Sequence, residues 1–77
     1  MTVEIRTPDK VIFSGEASSI QLPGIDGLFE ILNNHGNMVA ALKKGKVKLV
    51  SEGETSFFEI NGGIVEVLKN KVQVLAE

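Results

Sequence analysis

Pro23-Gly-Ile-Asp-Gly-Leu-Phe-Glu-Ile-Leu-Asn-Asn-His-Gly-Asn-Met38 is the stretch on which the reading of this 77-residue chain turns. It holds three of the eight glycines, one of the two prolines, three of the five asparagines and the only histidine. Those residue types form turns, yet among them sit Leu28, Phe29, Ile31 and Leu32. Large apolar side chains framed by loop chemistry have two readings. One is a strand buried between two irregular turns; the other is a surface that contacts another molecule. Asn33-Asn34-His35-Gly36 is not regular structure, because asparagine and glycine tolerate the left-handed backbone that turns need. Gly27–Leu32 is then a short strand inside the stretch.

Outward from that strand the pattern repeats. Val3 and Ile5 alternate with Glu4 and Arg6, the period-two signature of a half-buried strand. Thr7-Pro8-Asp9 ends it, because proline has no N–H for the ladder. Lys10–Ser14 and Glu16–Leu22 alternate again, separated by Gly15, and Pro23-Gly24 closes the second of them. Downstream, Met38–Lys43, Lys46–Ser51, Ser56–Ile60, Ile64–Leu68 and Lys71–Ala76 read as strands. Lys44-Gly45 and Glu52-Gly53-Glu54 read as hairpin tips. Gly62-Gly63 marks a close backbone approach or a bulge. No segment carries an apolar period of 3.6 residues. Turns recurring every few residues predict an all-β fold, an antiparallel β-sandwich or flattened barrel of about eight to ten short strands. Residues 1–77 make one domain. Ile5, Phe13, Ile20, Leu22, Leu42, Leu49, Val67 and Val74 recur on one face and are the expected core.

Composition removes several function classes. A chain this short buries only about 60% of its unfolded surface, and such domains often lean on partners for stability. There is no cysteine, hence no disulfide and no thiolate metal site, and one histidine makes no multi-histidine centre. The net charge is −2 with both signs interspersed, which argues against a nucleic-acid binder. The one basic cluster, Lys43, Lys44, Lys46 and Lys48, reads as a solvated turn and strand face. No basic start followed by an apolar run suggests a signal peptide, and no apolar run approaches the roughly 20 residues of a membrane helix.

Reaction chemistry is absent from the pattern. Ser18-Ser19 lacks the glycine-flanked nucleophile elbow. Gly24-Ile25-Asp26-Gly27 lacks the Gly-Lys-Ser/Thr ending of a phosphate loop and the helix that would follow it, and Gly45-Lys46-Val47 fails the same test. His35 has the right ordinary pKa for acid–base work but no partner in the sequence. The expectation is a non-enzyme without a cofactor.

The motifs together resemble the epsilon subunit of F-type ATP synthases, in its N-terminal β-sandwich domain. Phe13-Ser14-Gly15 stands where the family has Phe-Ser-Gly. Gly24–Ile31 resembles its Gly-x-x-Gly-x-x-x-Ile, and Leu32-Asn33-Asn34-His35 its Leu- or Tyr-Pro-Gly-His. Ala41-Leu42-Lys43-Lys44-Gly45 is similar to Ala-Leu-Lys-Pro-Gly, and Asn61–Val67 to Ser-Gly-Gly-Phe-Val-Glu-Val. Lys71–Glu77 is similar to the closing Val-Thr-Val-Leu-Ala-Asp. The departures lie in one loop. Asn33-Asn34 replaces Pro-Gly and Gly36-Asn37 replaces Ala-Pro, which keeps turn chemistry but gives up proline's rigidity.

The resemblance implies a rotor part without chemistry of its own. Such a part clamps the gamma subunit, rests on the polar loops of the c-subunit ring and couples ion flow to ATP synthesis. It implies a place on the cytoplasmic face of an energy-transducing membrane, peripheral through the ring. Gly27, Leu28, Phe29, Glu30, Ile31, His35 and Met38 are the implied ring and gamma interface, and the pleat makes one of Leu28 and Phe29 core. The family's C-terminal helical hairpin has no counterpart here, so neither ATP binding nor inhibition of hydrolysis is expected. Two other readings remain open on the residues. A lipoyl- or biotinyl-type carrier would need an exposed lysine at a hairpin tip, for which Lys44 is the candidate. The last is a generic binding sandwich.

Overall fold

Two-residue turns set most of the topology. The computed structural model describes residues 1–77 as seven strands with no helix. They are β1 (Thr2–Arg6), β2 (Val11–Glu16), β3 (Ser19–Gly24), β4 (Gly27–Leu32), β5 (Met38–Ser51), β6 (Glu54–Leu68) and β7 (Lys71–Ala76). Glu52-Gly53 joins β5 to β6 with φ of 51° and 78°, and Lys69-Asn70 joins β6 to β7 with φ of 50° and 60°. Positive φ at both central residues gives the turn whose twist matches that of the flanking strands. Ile25-Asp26 closes β3 on β4, with Gly24 opposite Gly27.

The strands form one sheet in the order β2-β1-β7-β6-β5-β3-β4. All neighbours are antiparallel except β1 and β7, which run parallel with Val3 opposite Val72 and Ile5 opposite Val74. The sheet is therefore mixed rather than purely antiparallel. Its end strands β2 and β4 are not paired with each other, so it is not a closed barrel.

The strand number is seven rather than eight to ten, and the reason is local. Lys44-Gly45 is no hairpin tip. It lies inside β5, which pairs with β6 in one register from Met38↔Val67 to Ser51↔Glu54. Nor does Gly62-Gly63 end a strand. Around these neighbouring positions, with Gly62 opposite Lys43 and Gly45 opposite Ile60, the ribbon turns a corner between the two halves of the fold. In β5 the inward side chains are Met38, Ala40 and Leu42 before it and Val47 and Leu49 after it. In β6 they are Phe58 and Ile60 before it and Val65 and Val67 after it. Both strands exchange their inward face at the same rung, which carries the ribbon from one half of the sandwich to the other. Gly45 is needed there, since a Cβ would lie 2.8 Å from the Cβ of Pro23. Pro23 also does not end its strand; it sits in β3 where the register against β5 shifts, so no ladder donor is missed.

Folding the sheet over at this corner makes one apolar core that includes Ile5, Ile20, Leu22, Ile31, Leu49, Val65 and Val74. Seven of the eight expected core residues are buried. Phe13 is the exception: it is half-buried, because β2 is an end strand, and it leans on Phe58 of β6 with ring centroids 6.1 Å apart. That tilted pair spans from one end of the sheet to the first half of β6.

Candidate functional site

β4 is the other end strand, and its pleat sorts the central stretch. The register runs unbroken from Gly24↔Gly27 to Ser19↔Leu32. Phe29 and Ile31 point inward, half-buried and fully buried, while Leu28, Glu30 and Leu32 point outward. Leu28 is 63% exposed and Leu32 54%. Gly24 is forced at the top of the hairpin. A Cβ there would come within 2.7 Å of the Gly27 carbonyl oxygen and 2.8 Å of the Phe29 ring. Phe29 thus occupies the space beside Gly24 and walls one side of an open groove of about 400 Å³. Its other side is Met38–Ala41, the first residues of β5, and Asp26 is the one charged residue in the lining.

The following loop is held by asparagines. Asn33 accepts a hydrogen bond from the Met1 ammonium group on its Oδ1 at 2.5 Å. The same ammonium donates to the Ala17 carbonyl at 3.1 Å and lies 3.6 Å from the Glu16 carboxylate. The Asn34 N–H donates to Asn70 Oδ1 at 2.8 Å, and the Lys69 N–H donates to Asn37 Oδ1 at 3.0 Å. Asn34 itself adopts φ of 63°. Side-chain amides thus tie this loop to the N-terminus and to the Lys69-Asn70 turn.

Of the residues named from sequence, Gly27, Leu28, Glu30 and His35 are exposed, and Phe29 and Met38 are half-buried at the groove. Ile31 is fully buried and cannot touch a partner; it supports the strand from beneath. Gly27 takes φ of 137° in open space. The His35 Nδ1 lies 2.8 Å from its neighbour's carbonyl oxygen, at Gly36, and no other side chain engages it. Leu32 was missed, although period-two alternation with Leu28 and Glu30 marks it. Lys69 and Asn70 were also missed, and no local signal ties them to a loop more than 30 residues away.

Apolar residues also spread across β5, β6 and β7, continuous with the groove through Val39 and Ala41. Ala41, Ile64 and Leu75 stand side by side on β5, β6 and β7. Ile64 and Leu75 are about half exposed, and Val39 beside them is 68% exposed. Lys44, in mid-strand at the corner, lacks the hairpin-tip placement that a carrier lysine needs. No group of three metal-ligating side chains comes together.

Exposed apolar side chains on β4 and across β5, β6 and β7, with no reaction chemistry beside them, are what a domain that packs against other chains presents. The comparisons identify which kind. Residues 1–77 match the model of the ATP synthase delta/epsilon chain β-sandwich domain. The chain is 47% identical over 76 residues to an ATP synthase epsilon chain of Chlorobium limicola, covering 97% of this chain and 86% of that one. It is 34% identical over 77 residues to an epsilon chain of Helicobacter pylori, of which it covers 63%. Among solved structures it superposes on a chain of the Euglena gracilis mitochondrial ATP synthase with a TM-score of 0.90 at 22% identity. The match covers 96% of this chain and 48% of that one, so this chain spans about half of its structural neighbour. A chain from the central stalk and c-ring of the Tetrahymena thermophila enzyme gives a TM-score of 0.84 at 22% identity, with 97% and 61% covered. The chain belongs to the ATP synthase delta/epsilon chain family, in its β-sandwich domain.

Proposed function

We propose that this chain is a non-catalytic rotor subunit that couples the gamma subunit to the c-subunit ring of an ion-translocating ATP synthase. The observation that carries this reading is the match to the family's sandwich domain over the whole chain. The exposed apolar residues on β4 and those across β5, β6 and β7, joined by the groove that Val39 and Ala41 line, suit a body held against other chains. In this reading Leu28, Glu30 and His35 face the ring, and Gly27, Phe29 and Met38 shape the groove beside them. The chain sits on the cytoplasmic face of an energy-transducing membrane, peripheral through the ring. Native membranes carrying a tagged copy test this. The chain should co-purify with gamma, c and the catalytic subunits; recovery without any of them overturns the reading.

A further inference from the structure

The loop Asn33–Asn37 and the turn at Lys69-Asn70 are joined by a reciprocal pair of hydrogen bonds. The loop donates a backbone N–H, from Asn34, to a side-chain amide oxygen of the turn, on Asn70, at 2.8 Å. The turn donates a backbone N–H, from Lys69, to a side-chain amide oxygen of the loop, on Asn37, at 3.0 Å. The turn is itself fixed, because the Asn70 carbonyl accepts the Thr2 N–H at 3.2 Å.

We propose that Asn37 and Asn70 are positioning residues that lock loop and turn into one composite docking surface, extending the ring-facing site to Leu68 and Lys69. Resting on the rotor reading above, this enlarges the site beyond the central stretch. Leu68 is 50% exposed and Leu32 54%, so apolar area is presented from both segments. Neither 32–37 nor 68–70 contains a carboxylate, while His35 and Lys69 supply N–H donors. The complementary partner is a polar loop that offers carboxylate or backbone carbonyl oxygens.

The test separates the lock from the docking. Both asparagines act through an acceptor oxygen alone, so aspartate should replace them and glycine should not. Glycine also keeps the φ of 60° that Asn70 needs, so the turn survives. In amide hydrogen exchange on the 77-residue chain, Asn70→Gly should speed exchange about tenfold at Lys69 as well as at Asn34. Asn37→Gly should do the same at Asn34, whose own bond it does not touch. Val65 and Val74 should stay protected, and Asn70→Asp and Asn37→Asp should restore slow exchange. Acceleration confined to the amide whose acceptor was removed, or none, overturns the lock.

Binding to a purified cognate rotor of gamma and c-ring supplies the second arm. Asn70→Gly and Lys69→Glu should each weaken it about tenfold, with Asn70→Asp near wild type. Faster exchange with unchanged affinity overturns the composite docking surface. A wild-type chain that does not bind overturns the rotor reading and the docking extension together, while the exchange result still decides the lock.

Discussion

Gly63 runs so close to Leu75 on the neighbouring strand that a Cβ on it would overlap the Leu75 carbonyl oxygen and lie 3.0 Å from the Ala76 Cα. Its φ of 144° is equally closed to other residues. Gly63→Ala should therefore cost about 3 kcal/mol or more, the range reached by backbone strain combined with overpacking. Gly36→Ala, in open space without a positive φ, should stay within about 0.5 kcal/mol. Urea unfolding of the two variants checks the contrast; equal costs would remove the close approach as the reason for this glycine.

Phe13→Ala should be milder than a full core truncation. Half-burial keeps the loss near about 1.5–3 kcal/mol, below the values typical of buried phenylalanine. A double-mutant cycle with Phe58→Ala should give a coupling of about 0.5–1.5 kcal/mol, as expected of a tilted aromatic pair. Zero coupling would mean that the rings do not interact in solution.

Glu30 is exposed on the outer face of β4 and makes no ion pair, so Glu30→Lys should change the melting point little. The same substitution should weaken attachment of the catalytic sector to membranes, since the charge is reversed at the proposed ring contact. Ile31→Ala should do the opposite: it should lower stability by about 2–5 kcal/mol and affect attachment only through folding. Sedimentation of membranes reconstituted with each variant, beside thermal melts, separates the two behaviours.

The 77-residue chain should not bind ATP. Its one apolar groove carries Asp26 and no cation, an arrangement that repels a triphosphate. Added to a catalytic sector lacking its own epsilon subunit, the chain should leave ATP hydrolysis uninhibited. Calorimetric binding of ATP, or strong inhibition at saturating chain, would show that the sandwich alone regulates.

The all-β class, several turns and seven buried residues of the core were legible because period-two alternation is local and each strand carries it on its own residues. Val3, Ile5, Ile20, Leu22, Val72 and Val74 all followed that rule into the core. The two long strands were not legible. Lys44-Gly45 interrupts the alternation much as a hairpin tip would, and only the β5–β6 register, which sets it next to Gly62-Gly63 across the ribbon, shows that both interruptions belong to one corner. The parallel β1–β7 pair joins the two ends of the chain, which no local pattern can announce. In the site, the outward row of β4 was readable from the pleat. The asparagine bonds were not, because an amide's partner is set by tertiary placement rather than by its neighbours in sequence.

The corner in the β5–β6 ribbon also sets how the domain carries load. In a sandwich whose halves touch only through side chains, a sideways force would be resisted by packing, which can slip. Here the same two backbones run through both halves, paired in one register from Met38↔Val67 to Ser51↔Glu54 with a single rung skipped at the corner. A push on β4 passes through the β3 ladder into the second half of β5. From there it travels along peptide bonds to the rungs that hold β7 and β1. Shearing one half past the other would require bending or tearing that ribbon.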